Sequence, residues 1–272
     1  MFDISHSSST SSEEGMRVRM DPTPSAPTII CDIDARVTAP GAEFRLLARF
    51  KAPGKRIALF GPSGSGKSLT LLALAGLLKP NLGRIEVRGR TFFEAASGVN
   101  IPARKRKIGM LFQDYALFPH LTVRDNVAFG LKPVFGPLRS ARRQRVDELL
   151  ELCGLTDLAG QRPDQISGGQ RQRTALARAL ATEPDLLLLD EPFTALDHPL
   201  RERMRVELFA ILQRFDLPLV MVSHNLEDVD HFAQTLVAFG HGRVLDVIDY
   251  EARRRRESAR QILDPLFQAA QQ

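Results

Sequence analysis

Residues 61–68 read GPSGSGKS, which fits the pattern GxxxxGK[ST] at every fixed position. Phosphate chemistry needs that spacing. Glycines let the backbone wrap a phosphate with its N–H groups turned inward, a lysine reaches the β- and γ-phosphates, and a hydroxyl enters a Mg²⁺ shell. The cradle is then Gly61, Pro62, Ser63, Gly64, Ser65, Gly66, Lys67 and Ser68, with Ser68 also a metal ligand. An ordinary Gly-rich turn is the plainer reading. It does not account for the apolar run RIALF before the loop and the helix-like SLTLLALAGLL after it.

Further along, LLLLDEP (186–192) sets two carboxylates at the end of an apolar run. Ligands of open α/β sheets bind at the carboxyl ends of strands. Asp190 suits the metal shell, and Glu191 suits the polarisation of an attacking water, since phosphoryl transfer needs positioning and charge neutralisation above all. His224 closes the apolar run LVMVSH, where it can donate to a γ-phosphate and orient Glu191. Gln113 closes MLFQ in the same way, as a metal or water ligand. Each alone reads equally well as a loop cap or a polar strand end; four chemistries on four strand ends are harder to set aside. A second anion cradle follows at ISGGQ (166–170), where Ser167, Gly168, Gly169 and Gln170 open a helical stretch.

Positioning those residues calls for a doubly wound α/β domain. Strands are expected at 56–61, 107–113, 185–190 and 219–224, with a helix over 68–78 stopped by Pro80. The unbroken apolar character of LLLL fits a parallel strand covered on both faces. Residues 114–169 carry helix signals without strand runs and read as a helical insert. Residues 1–28 hold little to bury and read as a disordered lead-in.

The 272 residues suffice for a packed core, and no apolar run is long enough to cross a bilayer. Cys31 and Cys153 lack CxxC spacing and read as small buried residues. The net charge of +5 comes from arginine clusters at 104–107, 139–145 and 253–256. No aromatic residues interleave them, so they read as solvated faces and no nucleic-acid partner is expected.

Taken together, the phosphate loop, Gln113, ISGGQ, LLLLDEP, TALD (194–197) and His224 resemble, in order, the ATP-binding subunit of an ABC transporter, from about Ile29 to Asp246. The signature differs from LSGGQ only in Ile166. The resemblance implies a P-loop NTPase (RecA-like) core with a mostly parallel sheet, an N-terminal antiparallel β subdomain and an inserted helical subdomain. It implies ATP and Mg²⁺ as cofactors and a head-to-tail homodimer in which each signature closes on the partner's ATP. Asp197 would then lie across the dimer seam.

FQDYALFPHLTVRDNVAFGL (112–131) resembles ATPases of bacterial binding-protein-dependent importers. There the segment after the glutamine docks a transmembrane permease subunit; Phe118, Pro119 and Leu121 are apolar enough for such a groove or for an ordinary buried loop. The solute-binding protein would be an indirect, extracytoplasmic partner, and the chain would sit peripherally on the cytoplasmic face of the inner membrane. GRTFFEAASGVNIPARKRKIGMLFQ (89–113) looks most like molybdate-importer ATPases, with polyamine, ferric-iron and sulfate importers sharing much of it. A soluble ABC ATPase of DNA repair or translation is disfavoured by the single compact cassette. An ATPase domain over 29–248 is expected, then one charged helix over 249–272 and no C-terminal regulatory domain. Phe44 is the nearest candidate to stack on adenine, or is core. Asn225, where many relatives have Asp, is expected to leave hydrolysis intact.

Overall fold

The computed structural model describes residues 28–39, 42–133, 138–194 and 196–271. All but the last residue of the expected lead-in lies outside these. One mixed sheet of 11 strands organises the described residues. Its antiparallel side holds β1 (Ile29–Ala39), β2 (Ala42–Ala52), β4 (Leu82–Val87), β5 (Arg90–Glu94) and β6 (Val99–Asn100), in spatial order β6-β5-β4-β1-β2. β1 shows why: Ile29, Cys31, Ile33 and Ala35 are buried while Asp32 and Arg36, on the alternate positions, face water, a period of two.

On the other side, β3 (Arg56–Phe60) lies between β10 (Thr235–Gly240) and β9 (Leu219–Val222), followed by β8 (Leu186–Asp190) and β7 (Ile108–Leu111), all parallel. Every residue of β8, β9 and β10 is buried, as expected for strands covered on both faces. β11 (Arg243–Asp249) pairs antiparallel with β10 and meets β2, joining the two sides. Because β3, β7, β8 and β9 run parallel, their C-terminal ends share one edge.

Helix α1 (Lys67–Ala75) follows β3. α2 (Val123–Ala128) and α3 (Ser140–Leu152) form the helical insert with the start of α4 (Gly168–Ala181), while α5 (His198–Phe215) and α6 (Leu226–Phe232) flank β9. α1 ends earlier than the sequence suggests. Gly76, at φ 80°, closes it by donating its N–H to Leu72 and Ala73, so a left-handed glycine stops the helix before Pro80 can.

Two expectations are corrected. The tail is two helices, α7 (Tyr250–Arg254) and α8 (Ala259–Gln271), not one. It is also more than a charged surface, since Tyr250, Ile262 and Leu263 are buried against Ala58, Phe60, Val229 and Leu236. The 104–107 cluster is no simple solvated face either. Arg106 is 1% exposed, its guanidinium donating to the Ala73, Leu74 and Ile101 carbonyls. Burial pushes its pKa down to about 10, still charged near neutrality. The two cysteines are buried, and burial raises the Cys153 thiol to about 12.

Candidate functional site

The strand-to-helix turn after β3 is shaped by glycine. At Gly61 a Cβ would come within 2.2 Å of the Phe239 carbonyl of β10, so no other residue lets the loop leave the sheet this closely. Gly64, at φ 76°, has open space around it and needs its glycine for conformation alone. Lys67 is buried, its Nζ donating to the carbonyls of Gly61 (2.9 Å) and Pro62 (2.6 Å) and lying 3.3 Å from Ser65 Oγ. Burial pulls its pKa down while the Glu191 and Asp190 carboxylates oppose the shift.

A cavity of about 400 Å³ opens over the loop, lined by Phe44, Ser63, Gly64, Gly66, Lys67, Ser68, Leu69, Gln113 and Glu191. Phe44, on β2, lines this cavity and also packs against the hydrophobic core cluster. Gln113, in the turn after β7, lines this cavity and the adjoining one beside Asp190 and Thr194.

At the end of β8, Ser68 Oγ donates to Asp190 Oδ1 at 2.9 Å. Asp190 is 9% exposed, and burial pushes its carboxyl above the usual range, countered in part by Ser68 and Lys67. A hydroxyl and a carboxylate in contact, beside a lysine, are hard oxygen donors of the kind Mg²⁺ takes with substrate phosphates. The residues therefore fit the metal.

Glu191 adopts φ 46°, a conformation that costs a non-glycine residue about 1–2 kcal/mol. It is held there on three sides. Its N–H donates to Val222 O (3.1 Å), its Oε1 lies 3.2 Å from His224 Nδ1, and its Oε2 accepts from Thr194 Oγ1 (3.1 Å). The structure thus brings together Glu191 and His224 from neighbouring strand ends. Thr194 was missed by sequence reasoning; a threonine three residues past the glutamate carries no spacing signal of its own.

Ser167 caps α4, its Oγ accepting from the Gln170 N–H while Gln170 Oε1 accepts from the Ser167 N–H. Gly169 packs against Leu200 of α5, where a Cβ would lie 3.0 Å from its Cδ2. Ile166 is buried in the helical-insert core, so the departure from leucine is an apolar exchange. Among the described residues, none of 167–170 lines the phosphate-loop cavity. Asp197 caps α5, accepting from the Leu200 N–H at 2.9 Å. Asn225 caps α6 through Glu227 N, a position where Asn and Asp serve equally.

A phosphate loop after a central parallel strand, with carboxylates at the next strand end but one, defines a P-loop nucleotide-binding domain. The profile of the ABC transporter family matches residues 50–194, and the chain belongs to that family. The family's cofactors, ATP and Mg²⁺, suit the cradle described above.

The sulfate/thiosulfate import ATP-binding protein CysA of Synechocystis sp. is 46% identical over 194 residues, covering 71% of this chain and 53% of its own length. The molybdenum import ATP-binding protein ModC of Paramagnetospirillum magneticum is 41% identical over 203 residues, covering 74% and 55%. The chain spans about half the length of these curated relatives. A probable CysA of Chlorella vulgaris, 45% identical over 195 residues, is covered over 79% of its length. Among solved structures, the dimeric post-hydrolysis state of the ATP-binding cassette MJ0796, bound to ADP and Pi, superposes with a TM-score of 0.68 at 27% identity. The match covers 81% of this chain and 97% of that one.

Proposed function

We propose that this chain is the ATP-hydrolysing subunit of an ABC importer, pairing head to tail with a second copy around two ATP molecules and driving a membrane permease. The observation that carries this reading is the split between the two cradles. One edge of the sheet gathers Lys67, Ser68, Gln113, Asp190, Glu191 and His224, while residues 167–170 lie outside that cavity. A helix N-terminus offering N–H donors then has its use on another molecule's phosphate. The dimeric MJ0796 cassette is consistent with such pairing.

In this mechanism Lys67 and the loop amides hold the triphosphate. Mg²⁺, held by Ser68 and Asp190 with Gln113 beside them, supplies charge neutralisation when bound. Glu191 orients the attacking water, its own carboxylate fixed by His224 and Thr194, and His224 is also placed to donate toward the γ-phosphate. Asp197 joins the two halves at the seam.

For the permease, the 114–131 region offers Phe118 in tilted ring contact with Phe129, centroids 4.1 Å apart, with Phe129 48% exposed and Pro119 exposed beside it. Among the described residues no helix is long and apolar enough to cross a membrane. It is on the importer reading that the subunit sits peripherally on the cytoplasmic face. Relatives named for sulfate/thiosulfate and for molybdenum import both match, so the solute class we favour is a tetrahedral oxyanion rather than molybdate in particular, delivered by an extracytoplasmic binding protein.

The test mixes Lys67→Ala and Ser167→Arg proteins, each inactive alone. Together they form one intact composite site, and recovery of a substantial share of parental ATPase activity, rising with protein concentration, is expected. No complementation, in a parent that turns over ATP, refutes sharing between copies.

A further inference from the structure

We infer that Arg178 is a positioning residue that ties the signature helix α4 to the turn carrying Gln113, so that both ends of the site move as one. The inference rests on the two-copy reading above. Arg178 lies in the last turn of α4, in the same rigid rod that begins at Ser167. Its guanidinium spans two successive carbonyls: Nη2 donates to Tyr115 O at 2.8 Å and Nη1 to Ala116 O at 2.7 Å. Its Cζ also lies over the Phe118 ring, 5.5 Å from the centroid.

The held backbone is an unusual one. Tyr115 and Ala116 both sit at positive φ, 64° and 42°, a conformation L-residues disfavour and rarely adopt in succession. Gln113 precedes them by two residues and lines the phosphate-loop cavity. A shift of α4 toward a partner's nucleotide therefore drags the 115–116 carbonyls, and Gln113 with them, toward or away from this chain's own nucleotide. Lysine is a poor substitute, because a single ammonium cannot present two separate N–H groups at the fixed spacing of the fork while a guanidinium carbon stays over the ring.

The experiment compares the full chain with Arg178→Met, which keeps the stem and removes the donors, and with Arg178→Lys. Steady-state ATP hydrolysis with Mg²⁺ is expected to show KM within about twofold of the parent. kcat should fall at least tenfold, and a Hill coefficient above one in the parent should drop toward one in both variants. Thermal midpoints should stay within a few degrees. Hydrogen exchange gives an arm independent of activity: peptides across 112–120 should exchange faster in Arg178→Met, and those across 61–68 should not. A folded variant with unchanged kcat, Hill coefficient and 112–120 exchange overturns the inference, as does a loss of activity that only tracks a falling thermal midpoint. Should Arg178→Met fail to fold, Arg178→Lys decides on the same readouts. A parent without ATP hydrolysis would sink the importer reading, while the exchange arm would still judge the tie itself.

Discussion

Arg205 and Asp228 allow stability and turnover to be separated in one experiment. Arg205 of α5 is 3% exposed and Asp228 of α6 is 6% exposed. The guanidinium meets Asp228 Oδ1 through Nε (2.7 Å) and Nη2 (2.6 Å), and Nη1 reaches Glu227 (3.1 Å) and Glu202. Asp228 Oδ2 accepts from Ser223 Oγ at 2.8 Å, and Ser223 Oγ in turn accepts from Asn225 N, clasping the turn that carries His224.

Leaving one buried charge without its partner costs about 3–5 kcal/mol. In Asp228→Leu the remaining partners, Glu202 and Glu227, are 50% and 58% exposed, and each such contact returns at most about 1 kcal/mol. The single variant should therefore lose about 2–4 kcal/mol, roughly 5–15 °C in midpoint for a domain of this size. Arg205→Met should cost about as much, because Asp228 is then buried with only Ser223. The double variant replaces both charges by apolar groups and should lose only about 1 kcal/mol, so the two single losses, which sum to about 4–8 kcal/mol, fall short of additivity by about 3–7 kcal/mol.

Activity should not follow. The clasp on Ser223 is gone in every variant that lacks Asp228, so turnover should stay at least tenfold down in the double variant despite its regained stability. Calorimetry and steady-state ATPase assays on the four proteins decide it. Additive losses with no coupling would refute the buried pair, and turnover restored along with stability would refute the role of the clasp in holding His224.

Glu191→Gln should keep nucleotide binding but lower hydrolysis by about 10²–10⁴-fold, trapping an ATP-bound dimer visible by size; parental turnover in that protein contradicts the assignment of Glu191. A pH test concerns the tail. Arg254, hydrogen-bonded to Asp230, holds that carboxyl below its ordinary value of 3.8, and Tyr250 adds a bond at 3.1 Å. A depressed carboxylate contributes stability above its unfolded pKa and loses it as pH falls through the folded one. The gap in tail protection between the parent and Asp230→Asn, read by hydrogen exchange over 250–266, should therefore be constant near neutrality and close below about pH 4. A gap that persists at lower pH removes the ion pair as its cause.

Much of the site was legible because each working group occupies a short run of its own strand end. LLLLDEP and LVMVSH each state a strand and its chemistry within eight residues, GPSGSGKS follows directly on the strand RIALF, and the parallel order of β3, β8 and β9 brings those ends to one edge. Where local signals competed, the reading went astray. Gly76 stopped α1 ahead of the more conspicuous Pro80, and the arginine run in the tail hid the apolar spacing of Ile262, Leu263 and Leu266 that docks α8. The capping box at Ser167 and Gln170 is local, and the sequence did mark it as a helix start.

What stayed hidden is long-range and carried by arginine. Arg106 bonds carbonyls 32 and 33 residues away, Arg178 reaches 62 and 63, and Arg205 reaches 23. In composition these are indistinguishable from the solvated arginines that give the chain its positive balance. Their placement follows a pattern nonetheless. α1 bears Lys67 at its N-terminus and is gripped by Arg106 at its C-terminal carbonyls, where a cation meets the negative end of the helix dipole. α4 bears Ser167 at its N-terminus and holds the Gln113 turn through Arg178 in its last turn. α5 is capped by Asp197 and fixes the His224 turn through Arg205. On the two-copy reading proposed above, each helix would offer its N-terminus to a nucleotide, and each has an arginine link to a separate part of the fold. An anion pulling on those N-termini would move the links as well. On that reading the helices, rather than the strand ends, would be the parts of the cassette that turn nucleotide chemistry into displacement.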